Sequence, residues 1–425
     1  MKRINFYWII YFITVACYAQ INTISKQDFE SSNFQNTVLK NDLKEVRIIG
    51  LGEPAHYMGN TFVSKIKLIK YLHEHCDFDV IAFESPMYDL DKYYIEYIKT
   101  NKVNANQFLA AGQVSNIWRT DDMIELFKYI LETQKTDRPL IYEGFDESLF
   151  YNNVNYTIVD DYNTFIKKLN IESDSKIQTD SIFDYALMDT AKKCYYFNKV
   201  NPNDTLVLYN TFKQVSNSLD KIKSKDVYFL FWERMTNNIQ SIYRKNYHLA
   251  NRDYEMAKNL SFLANHKYPN KKIMLWGATM HFLEDVNKLY FKDKVNKQST
   301  GYYIKKEFGD KYYHLAFIPA KGVTGMKGYL GLMKRKVKAK KGSIERYILE
   351  KYNPYAAFIS IRNEPNKTEL LENNVSKSLL VGLKQYNVDI TSVVDGFFYI
   401  KEEKLLQYNI LVKYYEDLKA KESHK

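Results

Sequence analysis

The sequence predicts an α/β protein built on a mostly parallel sheet with a helical insertion. Three observations lead there. Short apolar runs recur along the chain, and each ends in a polar turn. Between the first two lies a segment with helical periodicity, the spacing of a right-handed βαβ unit. A long middle stretch, residues 150–260, carries helical patterns and no convincing strand.

The first strand is Val46 to Leu51, running into Gly52-Glu53-Pro54-Ala55-His56. Phe62, Ile66, Ile69 and Leu72 then share one helical face, with Asn60 or Thr61 as the expected N-cap. Val80 to Phe83 is the next strand and ends at Glu84. Met123, Leu126, Phe127, Ile130 and Leu131 mark a helix leading to the strand Leu140 to Tyr142, which ends near Asp146. After the insertion, Ile273 to Trp276 is a strand followed by Gly277-Ala278-Thr279-Met280-His281. Later strands are His314 to Ile318, Ala357 to Ile361 and Phe397 to Ile400. Glu402 to Leu418 has the pattern of an amphipathic terminal helix. The basic run Met333 to Lys341 is expected to be a solvated loop, with an anion or membrane-surface contact as the alternative.

The composition narrows the class. With 45% hydrophobic and 26% charged residues the chain is globular. Fifteen Gly and eight Pro in 425 residues are few for a loop-rich all-β sandwich. Three Cys exclude a disulfide-stapled scaffold or a Cys-rich zinc module. The net charge of +11 is spread along the chain and fits compositional bias; a functional basic surface is the alternative. Nucleic acid is not expected as a partner, and the oligomeric state is left open.

The N-terminus differs from the rest. A basic end, an apolar run from Phe6 to Val15 and the small residues around Ala19 form a secretory signal over residues 1–19, with Gln20 as the first mature residue. Cys17 is the alternative start, as the lipid anchor of a lipoprotein. The run is too short to span a bilayer, which needs about 20 residues. The protein is therefore expected outside the cytoplasm, periplasmic, at the outer envelope or extracellular. Residues 20–425 would form the α/β domain and keep Cys76 and Cys194 as one disulfide or two buried thiols.

Ligands in open α/β sheets bind at the carboxyl ends of the strands. Glu53, His56, Glu84, Asp146 and His281 all follow a predicted strand, so five ionisable residues from distant parts of the chain should meet on one edge. Each also has a structural reading: Glu53 as a helix cap, His56 as a loop histidine, Glu84 as half of an ion pair, Asp146 as a turn residue, His281 packed beneath a helix. No G-x-S-x-G elbow, P-loop, G-x-G-x-x-G or H-E-x-x-H is present. His73-Glu74-His75 is expected on the surface.

These residues also resemble a known family. Gly52-Glu53-Pro54-Ala55-His56, Gly59, Leu68 to Leu72 and Asp79 to Glu84 are similar to the opening signature of the erythromycin esterases. Trp118 to Asp122, Glu143 to Asp146, Arg252-Asp253-Tyr254-Glu255-Met256-Ala257-Lys258-Asn259, Trp276 to His281 and Asp395 to Ile400 follow in the family's order. Tyr57 stands where the family often has Gly, and Ala278 and Thr279 stand where it has His and Asn. The resemblance implies a core of two related halves, a helical part, and hydrolysis of a macrolactone ester without a covalent serine. By match, Glu53, His56, Glu84 and His281 fall on the catalytic cluster, and Arg252 near the cleft.

The expected chemistry is carboxylic ester or lactone hydrolysis on a small-molecule substrate. His56 would act as general base on water, His281 or Arg252 would stabilise the oxyanion, and Glu53 and Glu84 would orient the histidines. No cofactor is expected. A divalent ion held by the two His and two Glu is the metal variant. A catalytically silent secreted binding protein on the same scaffold is the rival reading.

Overall fold

The structure, a computed structural model, describes residues 21–32, 34, 37–149, 158–195, 199, 201–244, 251–289, 298–328, 331–390 and 392–422. The expected signal segment and Cys17 lie outside the described residues. The strands in chain order are β1 (Asn22–Ile24), β2 (Ile48–Glu53), β3 (Phe78–Pro86), β4 (Ile141–Asp146), β5 (Lys272–Ala278) and β6 (Tyr312–Gly328). They continue with β7 (Gly331–Lys338), β8 (Ala356–Ser360), β9 (Lys377–Val381), β10 (Lys384–Asn387), β11 (Gly396–Glu403) and β12 (Leu406–Gln407).

The main sheet runs β1-β8-β11-β6-β2-β5-β3-β4, with β7 and β12 paired to β6 off this path. From β11 to β4 every neighbour is parallel, while β8 and β1 add an antiparallel edge. This is the mostly parallel α/β sheet that the strand–helix rhythm predicts. The central strands are apolar throughout: Ile48, Ile49 and Leu51 of β2 and Ile273 to Trp276 of β5 are fully buried. A sheet covered on both faces by helices demands that continuous pattern. β5 lies between β2 and β3, so the strands of the first strand–helix–strand unit are not neighbours.

The helix Gly59–Cys76 buries Phe62, Ile66, Leu68, Ile69 and Leu72 against the sheet, each worth about 1.5–3 kcal/mol of apolar burial. Its cap corrects the expectation from sequence. Neither Asn60 nor Thr61 caps it through its side chain. Instead the Glu403 carboxylate, from the end of β11, accepts from the backbone N–H of Asn60 and Thr61 at 2.5 and 3.2 Å. A carboxylate at a helix N-terminus satisfies orphan donors and faces the positive end of the dipole. At the far end Asp77 takes the left-handed conformation and closes the helix.

Three further expectations are corrected. The basic run is β7, paired antiparallel to β6 from Lys321↔Lys338 to Gly328↔Gly331, and its cations from Lys334 on are exposed. The ladder compensates its backbone, which charge alone could not reveal. The terminal helix spans Asn409–Glu422; its expected first turn is the end of β11 and β12. His73 is buried, with Nδ1 2.7 Å from the Tyr129 hydroxyl, so only Glu74 and His75 of that trio are exposed. Cys76 and Cys194 are not joined in a disulfide. Burial pushes the Cys76 thiol up to about 11.

Helices Ile158–Ser173, Ser181–Tyr195, Pro202–Leu219 and Val227–Arg244 pack around their own apolar cluster, including Tyr162, Phe165, Phe212 and Trp232. The next helix, Arg252–Phe262, belongs to the sheet instead, burying Met256, Ala257 and Leu260 in the main core. That docking brings its first residues to the carboxyl edge of β3 and β4.

Candidate active site

Glu53 is the last residue of β2 and lies opposite Ala278 of β5. Its side chain is fully buried. One oxygen accepts from Trp118 Nε1 at 2.8 Å and meets His56 Nδ1 at 3.2 Å; the other is paired with the buried Lys65 ammonium. Lys65 also lies over the Trp276 ring, 4.1 Å from its centroid. Burial lowers the Lys65 pKa against the opposing pull of Glu53. A buried carboxylate needs such partners, because unpaired it would cost several kcal/mol.

His56 sits in the loop after β2 and is 39% exposed. Among the described residues it bonds only to Glu53, so Nε2 is open. Burial works against its charged form, but the hydrogen bond and charge of Glu53, with Glu84 behind, outweigh this and raise its pKa above the usual histidine value. The ring stands between Trp118 and Tyr57, with centroids at 6.1 and 6.5 Å. Tyr57 has φ of 67°, a left-handed conformation that suits glycine far better. This is the physical reason a glycine is the easier choice there. Tyr57 is held in it by its carbonyl, which accepts from Gly325 N at 2.9 Å and from the Thr324 hydroxyl.

Glu84 lies within β3, at a register shift against β4 between Phe83 and Pro86. Such irregularities re-aim side chains. Its Oε1 accepts from Arg252 Nη2 at 2.9 Å and meets His281 Nε2 at 3.2 Å; its Oε2 accepts from Ala278 N at 3.0 Å. Burial opposes its ionisation, yet the charges of His281 and Arg252 hold its carboxyl well below the usual range. Gly277 makes room for it: a Cβ there would lie 2.8 Å from Oε2.

Arg252 opens its helix and grips Asp146 with Nε at 3.1 Å and Nη2 at 2.5 Å. Its Nη1 lies 3.2 Å from His281 Nε2. Asp253, the next residue, holds His281 Nδ1 at 2.7 Å and is itself anchored by Thr300 N and Oγ1, both at 2.9 Å. Burial disfavours the His281 cation, but Glu84 and Asp253 reverse this and lift its pKa to about 10. His281 is therefore an imidazolium at neutral pH.

The structure brings Glu84, Asp146, Arg252 and His281 into direct contact. Glu53 and His56 pair alongside them, close enough for His56 to feel the charges of Glu84 and His281. The cations of Arg252 and His281 are matched by the carboxylates of Glu84, Asp146 and Asp253, which bond them directly. The donor set does not suit a metal, since Lys65 and Arg252 occupy the carboxylate faces a cation would take. Among the described residues no three His, Cys, Asp or Glu converge as a ligand set.

Sequence reasoning missed Lys65, Trp118 and Asp253 as site residues. Lys65 had a signal: it falls on the apolar stripe of its helix, three residues after Phe62, where a lone cation needs a buried partner. Trp118 and Asp253 gave none beyond their place in the family segments.

A buried parallel sheet with paired carboxylate and histidine groups on its carboxyl edge defines an α/β protein with a cluster of ionisable groups where such sheets bind ligands. A family model described as erythromycin esterase matches residues 186–402, and the chain belongs to that family. It is 28% identical over 328 residues to the Bacillus subtilis (strain 168) protein named "Putative hydrolase YbfO", covering 70% of this chain and 71% of that one. Among solved structures it resembles a Bacillus cereus protein (TM-score 0.66, 18% identity, 91% of this chain and 96% of that one). It also resembles a succinoglycan biosynthesis protein (0.65, 18%, 92% and 96%). A mutant of the erythromycin esterase EreC in its open conformation gives 0.63 at 13% identity, over 91% and 98%. At these identities the structural likeness is one of fold. Family and relative together support a hydrolase in general.

Proposed function

We propose that the protein hydrolyses a carboxylic ester or lactone by direct attack of water. The observation that carries this is the division of labour between the two histidines. His56 is half-exposed with a free Nε2 and a carboxylate behind it, the arrangement of a general base. His281 is a partly buried cation held by Asp253 and Glu84, and its proton is the one available to a leaving group. His56 takes a proton from water as its oxygen bonds to the carbonyl carbon. The tetrahedral intermediate then breaks its bond to the leaving oxygen, which takes the place of Glu84 at His281 Nε2–H and accepts that proton; His56 returns its own proton to solvent and His281 regains one. Arg252 positions Glu84 and Asp146 through Nε and Nη2. A macrolactone is the first substrate to try, because EreC is named for one.

Turnover of a panel of esters and lactones by the purified protein tests this. We expect hydrolysis without a burst phase, insensitive to serine-directed inhibitors and to chelators. A burst, or loss on chelation with recovery on adding zinc, would overturn the mechanism. Ala278 and the strained Tyr57 favour a second reading, a silent binding protein; ligand binding without turnover in the same panel would select it. Export from the cytoplasm is proposed on residues 1–19, and mass spectrometry of the native N-terminus decides it.

A further inference from the structure

β6 continues well beyond the end of β2 on the edge that carries His56, and β7 folds back along it. Beside this hairpin stands a second, β9–β10. Each is bonded to the His56 loop. Gly325 N of β6 donates to Tyr57 O at 2.9 Å, and Gly382 N, in the β9–β10 turn, donates to Pro54 O at 2.6 Å. Arg335, paired across the ladder with Thr324, closes the ring by donating to Leu383 O at 3.3 Å.

Between the hairpins lie two cavities, of about 530 and 370 Å³, adjoining at Lys340 and Gln385. Their rims carry Arg335, Lys336, Lys338, Lys340, Lys377 and Lys384, while Val337, Leu379 and Leu383 line the larger. None of these six cations forms an ion pair among the described residues. Six uncompensated positive charges around a cavity of ligand size concentrate anions, and the apolar lining accepts a hydrocarbon stem.

We propose that this groove binds the anionic end of an amphiphilic ester whose carbonyl reaches His56. The inference rests on the hydrolase reading but is tested apart from it. The groove lies between two hairpins and is tied by backbone hydrogen bonds to the residues flanking the base, which suits a substrate tail. The anionic group is a carboxylate, phosphate or sulfate.

The experiment has two arms. In the first, 4-nitrophenyl half-esters of dicarboxylic acids of increasing length are compared with esters of matched monocarboxylic acids. The anionic ester should be preferred in kcat/KM by about tenfold at the length that spans groove and base, and the Lys336→Gln/Lys338→Gln/Lys384→Gln variant should lose the preference. In the second, calorimetry should show pyrophosphate binding that survives His56→Ala and is lost in the triple variant. Thermal melting checks that the triple variant is folded. Equal pyrophosphate binding by wild type and triple variant, or no anionic preference at any length, overturns the proposal. So does binding to phosphatidylglycerol vesicles without length dependence, which would make the groove a membrane contact. If no ester is turned over, the hydrolase reading fails alone, and the groove stands or falls on pyrophosphate binding.

Discussion

Asp253 holds His281 through Nδ1 at 2.7 Å, which leaves only Nε2 directed at Glu84. The residue before it, Arg252, bonds that same Glu84. Two consecutive residues of one helix therefore set both the charge and the orientation of the second histidine. The consequence is a proton held on His281 far above neutral pH.

Hydrolysis should therefore have an alkaline limit. Activity is expected to fall as pH rises through about 10, as His281 loses its proton. Asp253→Asn removes one of the causes that raise this value, so the falling limb should move to lower pH. The same shift bears on stability. The folded value lies above the unfolded one of about 6.5, so the contribution is complete below that value and is lost as pH climbs towards 10. A pH–rate profile with NMR titration of His281 checks both.

The acid limb belongs to His56. Its pKa is raised, chiefly by Glu53 acting against burial, so rates should climb as pH passes above the usual histidine value. His56→Ala should lower turnover by about 10²-fold or more while the protein stays folded, since Trp118 and Lys65 still satisfy Glu53. Unchanged turnover would remove His56 as the base.

Lys65 and Glu53 are a fully buried pair. Lys65→Met leaves the Glu53 carboxylate buried without its cation and should destabilise by about 3–5 kcal/mol. Lys65→Met/Glu53→Gln should recover much of that loss, because neither partner remains charged. Urea unfolding of the single and double variants measures the coupling.

Glu403 is the cap of the helix that carries Lys65. Glu403→Ala should cost about 1–3 kcal/mol by orphaning the N–H groups of Asn60 and Thr61 and the Thr61 hydroxyl. Glu403→Gln, which keeps an acceptor, should cost less. Differential scanning calorimetry ranks the two.

The strand–helix rhythm alone determined the mostly parallel sheet, because strands buried on both faces must be apolar along their whole length. It also marked the edge where Glu53, His56, Glu84, Asp146 and His281 meet, since polar residues that end such strands share one side of the sheet. Tertiary structure decided the rest. Which carboxylate serves which histidine depends on β5 entering between β2 and β3. The cap from Glu403, the burial of Lys65 against Glu53 and the clamp of Asp253 on His281 join residues far apart in the chain. Local periodicity carries no record of such partners. The same holds for the basic segment after Met333: its charges are consistent with a solvated loop, and only pairing with β6 makes it a strand.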